Sequence, residues 1–264
     1  MTPGTPVIYE LGAAEAVASL SEQGHVTASG TPTVADLLPI FAGCPGLVVF
    51  DSAKTSPQLG RYSFLTADPV RTFELAEPCY GVDPFADIRD AMAGFHVEPV
   101  EGLAPFQGGA AGILSYELGR CFELLPNVQY DELELPCLAV GIYDWVITWD
   151  HQQGRCWLIS QGFPEAEPAL RARRARERAE WVLARIRQGT TRRESASSAA
   201  ATIPSESESA PQHPAPGPAG LVSNFSRDSY LAAVERVVEY IRAGDIFQAN
   251  LAQRLVYPSE ESPL

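Results

Sequence analysis

The groups in this sequence that could do chemistry are scattered, and their spacing excludes several reactions. Gly108-Gly109 with Gly112 is glycine-rich, as phosphate loops are. The spacing fits neither G-x-G-x-x-G nor a Walker loop, and no Lys-Ser or Lys-Thr pair follows. A tight turn or a close backbone approach is the use these glycines predict. His25, His96, His151 and His213 lie far apart and lack ligand spacing. His151 falls in an expected hairpin turn and is read as solvated. Glu132 and Glu134 are paired carboxylates that could share acid-base work, but their polar surroundings predict an exposed loop. Cys44, Cys79, Cys121, Cys137 and Cys156 are odd in number, with no C-x-x-C pair. That pattern predicts reduced thiols, not a disulfide frame or a zinc site.

Composition narrows the partners. The formal net charge of -14 opposes binding to nucleic acid, which needs a concentrated basic patch. The one dense basic run, Arg171, Arg173, Arg174, Arg176 and Arg178, is interleaved with Glu165, Glu167, Glu177 and Glu180. It predicts a solvated helix face. Met1 to Glu10 has no basic n-region or apolar h-region, and no apolar run approaches the ~20 residues that span a bilayer. The expectation is a cytoplasmic chain that binds neither membrane nor nucleic acid.

The elements that must position these groups follow from periodicity. Thr33-x-x-Asp36 is a capping box opening a helix that Pro39 should cut short. Leu47 to Phe50 is a β-type run leading into Asp51-Ser52. Residues 61–75 read as extended, with a turn at Asp68-Pro69, and residues 84–93 as helix. Residues 139–149 form the strongest strand, dense in β-branched and aromatic side chains. A turn at 150–154 returns the chain along 155–160 as a hairpin. A charged helix spans about 165–188. Residues 189–222 are Ser-, Ala- and Pro-rich and cannot repay their ordering entropy, which predicts a disordered linker. Beyond it, Ser226 caps a helix over 226–243 that Gly244 ends, and residues 246–257 read as a strand. One helix and one strand do not make a domain. The pattern as a whole predicts an α+β fold, mainly antiparallel sheets with flanking helices over residues 1–188. The linker, 189–222, is followed by the first helix and strand of an incomplete α/β domain, 223–264.

Four segments carry a family resemblance. They are Asp51-Ser52-Ala53 with 60–69 (Gly-Arg-Tyr-Ser-Phe-Leu-Thr-Ala-Asp-Pro), then 106–120, then Leu135-Pro136 with 139–145, then 240–254. In order and spacing they resemble component I of anthranilate synthase and aminodeoxychorismate synthase. Gln248-x-Asn250-Leu251-x-Gln253 leans toward the aminodeoxychorismate branch, since anthranilate synthases usually carry valine where Asn250 stands.

The resemblance implies a chorismate-binding α/β domain that uses a magnesium ion, with ammonia supplied by a glutamine amidotransferase partner. The product would be 4-amino-4-deoxychorismate, a precursor of p-aminobenzoate and folate. The magnesium-binding glutamates, the substrate-clamping arginine and threonine and the nucleophilic lysine would all lie C-terminal to the fourth segment. These 264 residues are therefore expected to bind neither chorismate nor a cofactor, and to be inactive alone. Two alternatives stand beside this: the matching portion of an anthranilate synthase, or a non-enzymatic amino-acid-binding or scaffold module. The resemblance also implies a tryptophan pocket enclosed by the N-terminal sheets. A zwitterion needs an acceptor for its ammonium, donors for its carboxylate and an apolar slot. Asp51 or Asp144, Ser52 with Ser63, and Tyr62 with Tyr143 are the right types, with Arg61 beside them.

Overall fold

The computed structural model describes residues 6–12, 30–54, 56, 58–95, 99–126, 130–131, 133–189 and 210–258. His25, His96, Glu132 and most of the expected linker, 190–209, lie outside them. The described chain divides into two units.

The first unit holds two antiparallel sheets. Strands β1 (Val7–Glu10), β2 (Val48–Phe50), β3 (Tyr62–Thr66), β7 (Trp145–Asp150) and β8 (Arg155–Ser160) form a five-stranded sheet in the order β1-β8-β7-β3-β2. Strands β4 (Arg71–Leu75), β5 (Gly109–Leu114) and β6 (Leu138–Tyr143) form a second sheet, β4-β6-β5. Flanking helices complete the α+β architecture: α1 (Val34–Phe41), α2 (Ala86–Met92) and α3 (Pro168–Gln188).

Thr33 caps α1 as its sequence predicts. Its Oγ1 accepts from Asp36 N at 3.2 Å, and its own N–H donates to Asp36 Oδ2 at 2.7 Å. Pro39 does not stop the helix where expected but lies inside it, two residues before its end. Burial of Val34, Leu37 and Phe41 offsets the hydrogen bond that proline cannot make. Phe41 packs its ring 5.3 Å from that of Trp145.

The run 139–149 is not one strand. It breaks at Asp144, with β6 in the three-stranded sheet and β7 in the five-stranded one. The stretch 61–75 breaks the same way at Asp68-Pro69, sending β3 and β4 to different sheets. Residue-level β preference cannot distinguish one long strand from two that change sheets.

Helix α3 also departs from its sequence reading. Ala175, Ala179, Val182 and Ile186 are buried, the last three in the cluster that includes Trp145, Ile147 and Leu158. Arg171, Arg174 and Arg178 share that side, because i, i+3 and i+7 lie on one helical stripe. Arg171 Nε donates to Gln161 O at 2.9 Å, and Arg174 Nε donates to Phe163 O. Arg178 Nε donates to Asp144 Oδ1 at 3.1 Å, its Nη1 to Asp68 Oδ2 at 2.7 Å and its Nη2 to Asp68 O. One guanidinium thus grips both points where the chain passes between the sheets. Of the basic run only Arg173 and Arg176 lie exposed, with Glu177 and Glu180 beside them.

The second unit contains β9 (His213–Pro214), β10 (Val222–Ser223), β11 (Leu255–Val256) and α4 (Arg227–Ala243). Strand β9 falls inside the stretch read as linker and β10 straddles its end, paired Val222 to Pro214 and Ser223 to His213. The helix begins and ends as expected, with Ser226 accepting from Ser229 N and Gly244 at φ 81°. The expected strand 246–257 shrinks to Leu255–Val256, paired with β10. Residues 246–254 make no ladder, and Arg254 N bonds the Asn224 side chain instead. A strand exists only where a neighbour takes up its hydrogen bonds. Among the described residues no helix is long and apolar enough to cross a membrane.

Candidate functional site

Five of the seven residues singled out from the sequence converge where β2 and β3 meet the β7–β8 turn. Asp51 and Ser52 follow β2 directly, Arg61 precedes β3, and Tyr62 and Ser63 begin it. Ser63 is fully buried, and its hydroxyl is the hub. Ser63 Oγ donates to Asp51 Oδ1 at 3.0 Å and accepts from Ser52 N at 2.9 Å. Ser52 Oγ donates to Tyr62 O at 2.7 Å. Asp51 itself is exposed.

Two neighbours that sequence reasoning passed over complete the cluster. Asp150 accepts from Arg61 Nε at 3.1 Å and from Arg61 Nη2 at 2.8 Å. Its other oxygen caps the turn, accepting from Gln152 N and Gln153 N. Burial pushes the Asp150 carboxyl up, but the Arg61 guanidinium and the two turn amides outweigh it and hold the group below the usual carboxylate range. His151, expected to be solvated, is half-buried with Nε2 2.7 Å from Ser63 Oγ. The available signal was its place at the end of the strand that pairs with β3, which brings it beside Ser63.

Tyr143 and Asp144 do not join this group. Asp144 lies six residues from Asp150 along β7, about 20 Å at strand rise. Its carboxylate is fully buried between Arg178 and Arg174, the latter at 3.6 Å. Burial nevertheless raises its pKa, against the pull of the two guanidinium groups. A carboxylate held this way cannot accept a ligand's ammonium. Tyr143 Oη donates to Gly46 O at 2.7 Å, and its ring covers Gly141, where an added Cβ would stand 2.7 Å from the ring.

The two sheets leave an apolar cleft of about 490 Å³. Phe50, Phe64 and Phe106 line one part of it, Phe85, Ile88 and Val140 another. Phe64 and Phe106 meet edge to face at 5.7 Å. A second cleft of about 470 Å³ shares Gly112 and Val140 and reaches Tyr143. Gly112 has the close approach its sequence predicts: a Cβ there would lie 2.0 Å from Ala139 O. Phe50 runs directly into Asp51, and Ser63 directly into Phe64. Successive strand residues point to opposite faces, so Phe64 and the cleft lie on the face of the five-stranded sheet opposite Ser63, which shares its face with Leu65 and Trp149. The magnesium ion that the resemblance implies finds no fit here. Among the described residues no three His, Cys, Asp or Glu side chains are grouped to hold a metal ion.

The chain is similar to known proteins over most of its length. The family described as chorismate binding enzyme matches residues 50–264. Aminodeoxychorismate synthase component 1 of Escherichia coli (strain K12) is 30% identical over 208 residues, 79% of this chain and 38% of that protein. Anthranilate synthase component 1 of Thermus thermophilus is 30% identical over 240 residues, 88% of this chain and 46% of that protein. Among solved structures, anthranilate synthase component I from Streptococcus pneumoniae TIGR4 superposes with a TM-score of 0.50 at 21% identity. That match covers 80% of this chain and 44% of the other, and it shows the fold. The chain thus spans less than half the length of these relatives.

Proposed function

The chain belongs to the chorismate binding enzyme family, and from that premise we propose that it is the N-terminal part of an aminodeoxychorismate synthase component I. The reaction would be amination of chorismate to 4-amino-4-deoxychorismate, with ammonia from a glutamine amidotransferase partner and a magnesium ion at the chorismate site. Gln248-x-Asn250-Leu251-x-Gln253 favours this branch over anthranilate synthase. Neither branch is distinguished by identity, since both relatives match at 30%. The test is to supply these residues within the complete polypeptide, together with an amidotransferase, chorismate and glutamine. Formation of anthranilate in place of 4-amino-4-deoxychorismate would overturn the assignment. By themselves the 264 residues are expected to leave chorismate, ammonia and magnesium unreacted.

The part these residues play is, in this reading, to hold a tryptophan-like amino acid. The observation that carries it is the convergence of Asp51, Ser52, Arg61, Tyr62 and Ser63 at one end of the five-stranded sheet, with the Asp51 carboxylate exposed. Asp51 would take the ammonium. The Ser52 and Ser63 hydroxyl protons are already committed, to Tyr62 O and Asp51. Arg61 binds Asp150 through Nε and Nη2, which leaves Nη1 for the ligand carboxylate. Calorimetric titration with tryptophan tests this: saturable binding that Asp51→Asn weakens supports it, and absence of binding refutes it.

A further inference from the structure

The apolar cleft between the sheets has one thick wall and one thin wall. Phe50 and Phe64 are cross-strand partners in the β2–β3 register, so both rings stand on the same face of the five-stranded sheet. Phe106 meets Phe64 edge to face, and Phe85 and Ile88, three residues apart, close the cleft from the side of α2. The facing wall is β5, where Ala110, Ala111 and Gly112 offer almost no side-chain volume. Larger side chains there would fill the gap, and alanine and glycine leave it open. Gly112 has no room to be larger, because its Cβ would strike Ala139 O.

Two properties of the cleft select an occupant. The first is size. A dry apolar cavity of ~150 Å³ takes benzene, and this cleft, at about 490 Å³, has room for a fused two-ring molecule. The second is polarity. Every lining side chain is apolar, whereas the adjoining cleft carries Thr72, Glu74 and Tyr143. A charged group entering the apolar cleft would lose its water and find no partner. Asp51 does not supply one, since its carboxylate bonds Ser63 on the opposite face of the sheet. Four phenylalanines among the lining residues favour a flat ring, which they can meet edge to face as Phe64 and Phe106 meet each other.

We propose that this cleft binds an uncharged aromatic molecule of one or two rings, at a site separate from the Asp51 cluster. Such a site stands whether or not the Asp51 cluster holds an amino acid.

Methyl NMR of the full chain, titrated with naphthalene, tests it. Saturable shifts of the Ile88, Ala110, Ala111 and Val140 methyl groups are the result expected. Ala110 is exposed, so Ala110→Phe should fill the cleft with little change in melting temperature and weaken naphthalene binding at least about tenfold. 2-Naphthoate, the same rings with a carboxylate, should bind about tenfold more weakly than naphthalene. Absence of saturable shifts, or shifts at the Asp51 and Ser63 amides in place of the cleft methyl groups, would overturn the site. Undiminished binding by Ala110→Phe would overturn it too, and equal binding of 2-naphthoate would overturn the uncharged class. Cleft shifts that follow protein concentration without naphthalene would make a second copy of the chain the occupant and sink the proposal.

Discussion

Replacing Arg178 by methionine should be the most damaging single change in the first unit. The side chain is 15% exposed and bonds Asp144 and Asp68 at once, so it ties helix α3 to both points where the chain changes sheet. Without it, the fully buried Asp144 carboxylate keeps only Arg174, at 3.6 Å. Methionine refills much of the aliphatic volume, so the cost is chiefly electrostatic. Breaking a buried pair by removing one partner costs about 3–5 kcal/mol, because a charge is left uncompensated. At a urea slope of about 2–3 kcal/mol/M this lowers the midpoint by roughly 1.5 M. Unfolding can be followed through Trp145, Trp149, Trp157 and Trp181. The pH dependence carries a further signature. Arg178 lowers the Asp144 pKa, so its loss raises the folded-state value further above the unfolded 3.8. A group raised on folding binds its proton more tightly in the native state. The deficit of the variant should therefore be largest at neutral pH and shrink as pH falls through that raised value. Asp144→Asn in the Arg178→Met background should recover part of the loss. A variant within about 1 kcal/mol of the parent, or a deficit independent of pH, would refute the reasoning.

Gly162 has φ 74°, and a Cβ there would lie 2.2 Å from Arg171 O, so Gly162→Ala should cost several kcal/mol by forcing helix α3 from the β8 exit; thermal unfolding reads this directly. Asp150 has a depressed pKa, so its stabilisation is present above the unfolded 3.8 and lost as pH falls below that through the folded value. Asp150→Asn should accordingly narrow its stability gap to the parent on acidification, and a gap constant down to about pH 2 would contradict the Arg61 pairing. Asp51→Asn should weaken tryptophan at least tenfold with little change in melting temperature, since Asp51 is exposed. Helix α4 buries no residue and leaves Leu231, Val234, Val238 and Ile241 between 37% and 47% exposed. Polar substitutions at Val234 and Val238 should lower binding of a hydrophobic dye, and unchanged dye binding would place the apolar surface elsewhere.

Much of this protein is decided locally and could be read residue by residue. The Thr33–Asp36 capping box, the Ser226 and Gly244 helix ends, the Asp68-Pro69 turn and the close approach at Gly112 all follow from chemistry within a few positions. The antiparallel α+β class followed from the spacing of β-type runs, and the ordered segments from Asp51 to Arg254 carried the family. What the chain's own periodicity could not decide is which strands share a sheet. The continuous β-prone run 139–149 changes sheets at Asp144 because a buried arginine from a helix some thirty residues later compensates the break. The arginines of helix α3 looked solvated because alternating charge normally is, and only packing against the five-stranded sheet turned Arg171, Arg174 and Arg178 inward. Tyr143 and Asp144 had chemistry suited to an amino-acid ligand but sit where β6 passes into β7, far from Ser63, and His151 had a bland position in sequence yet lies against Ser63. Strand pairing joins residues about ninety positions apart, so the composition of the site was set by tertiary register and not by any local signal.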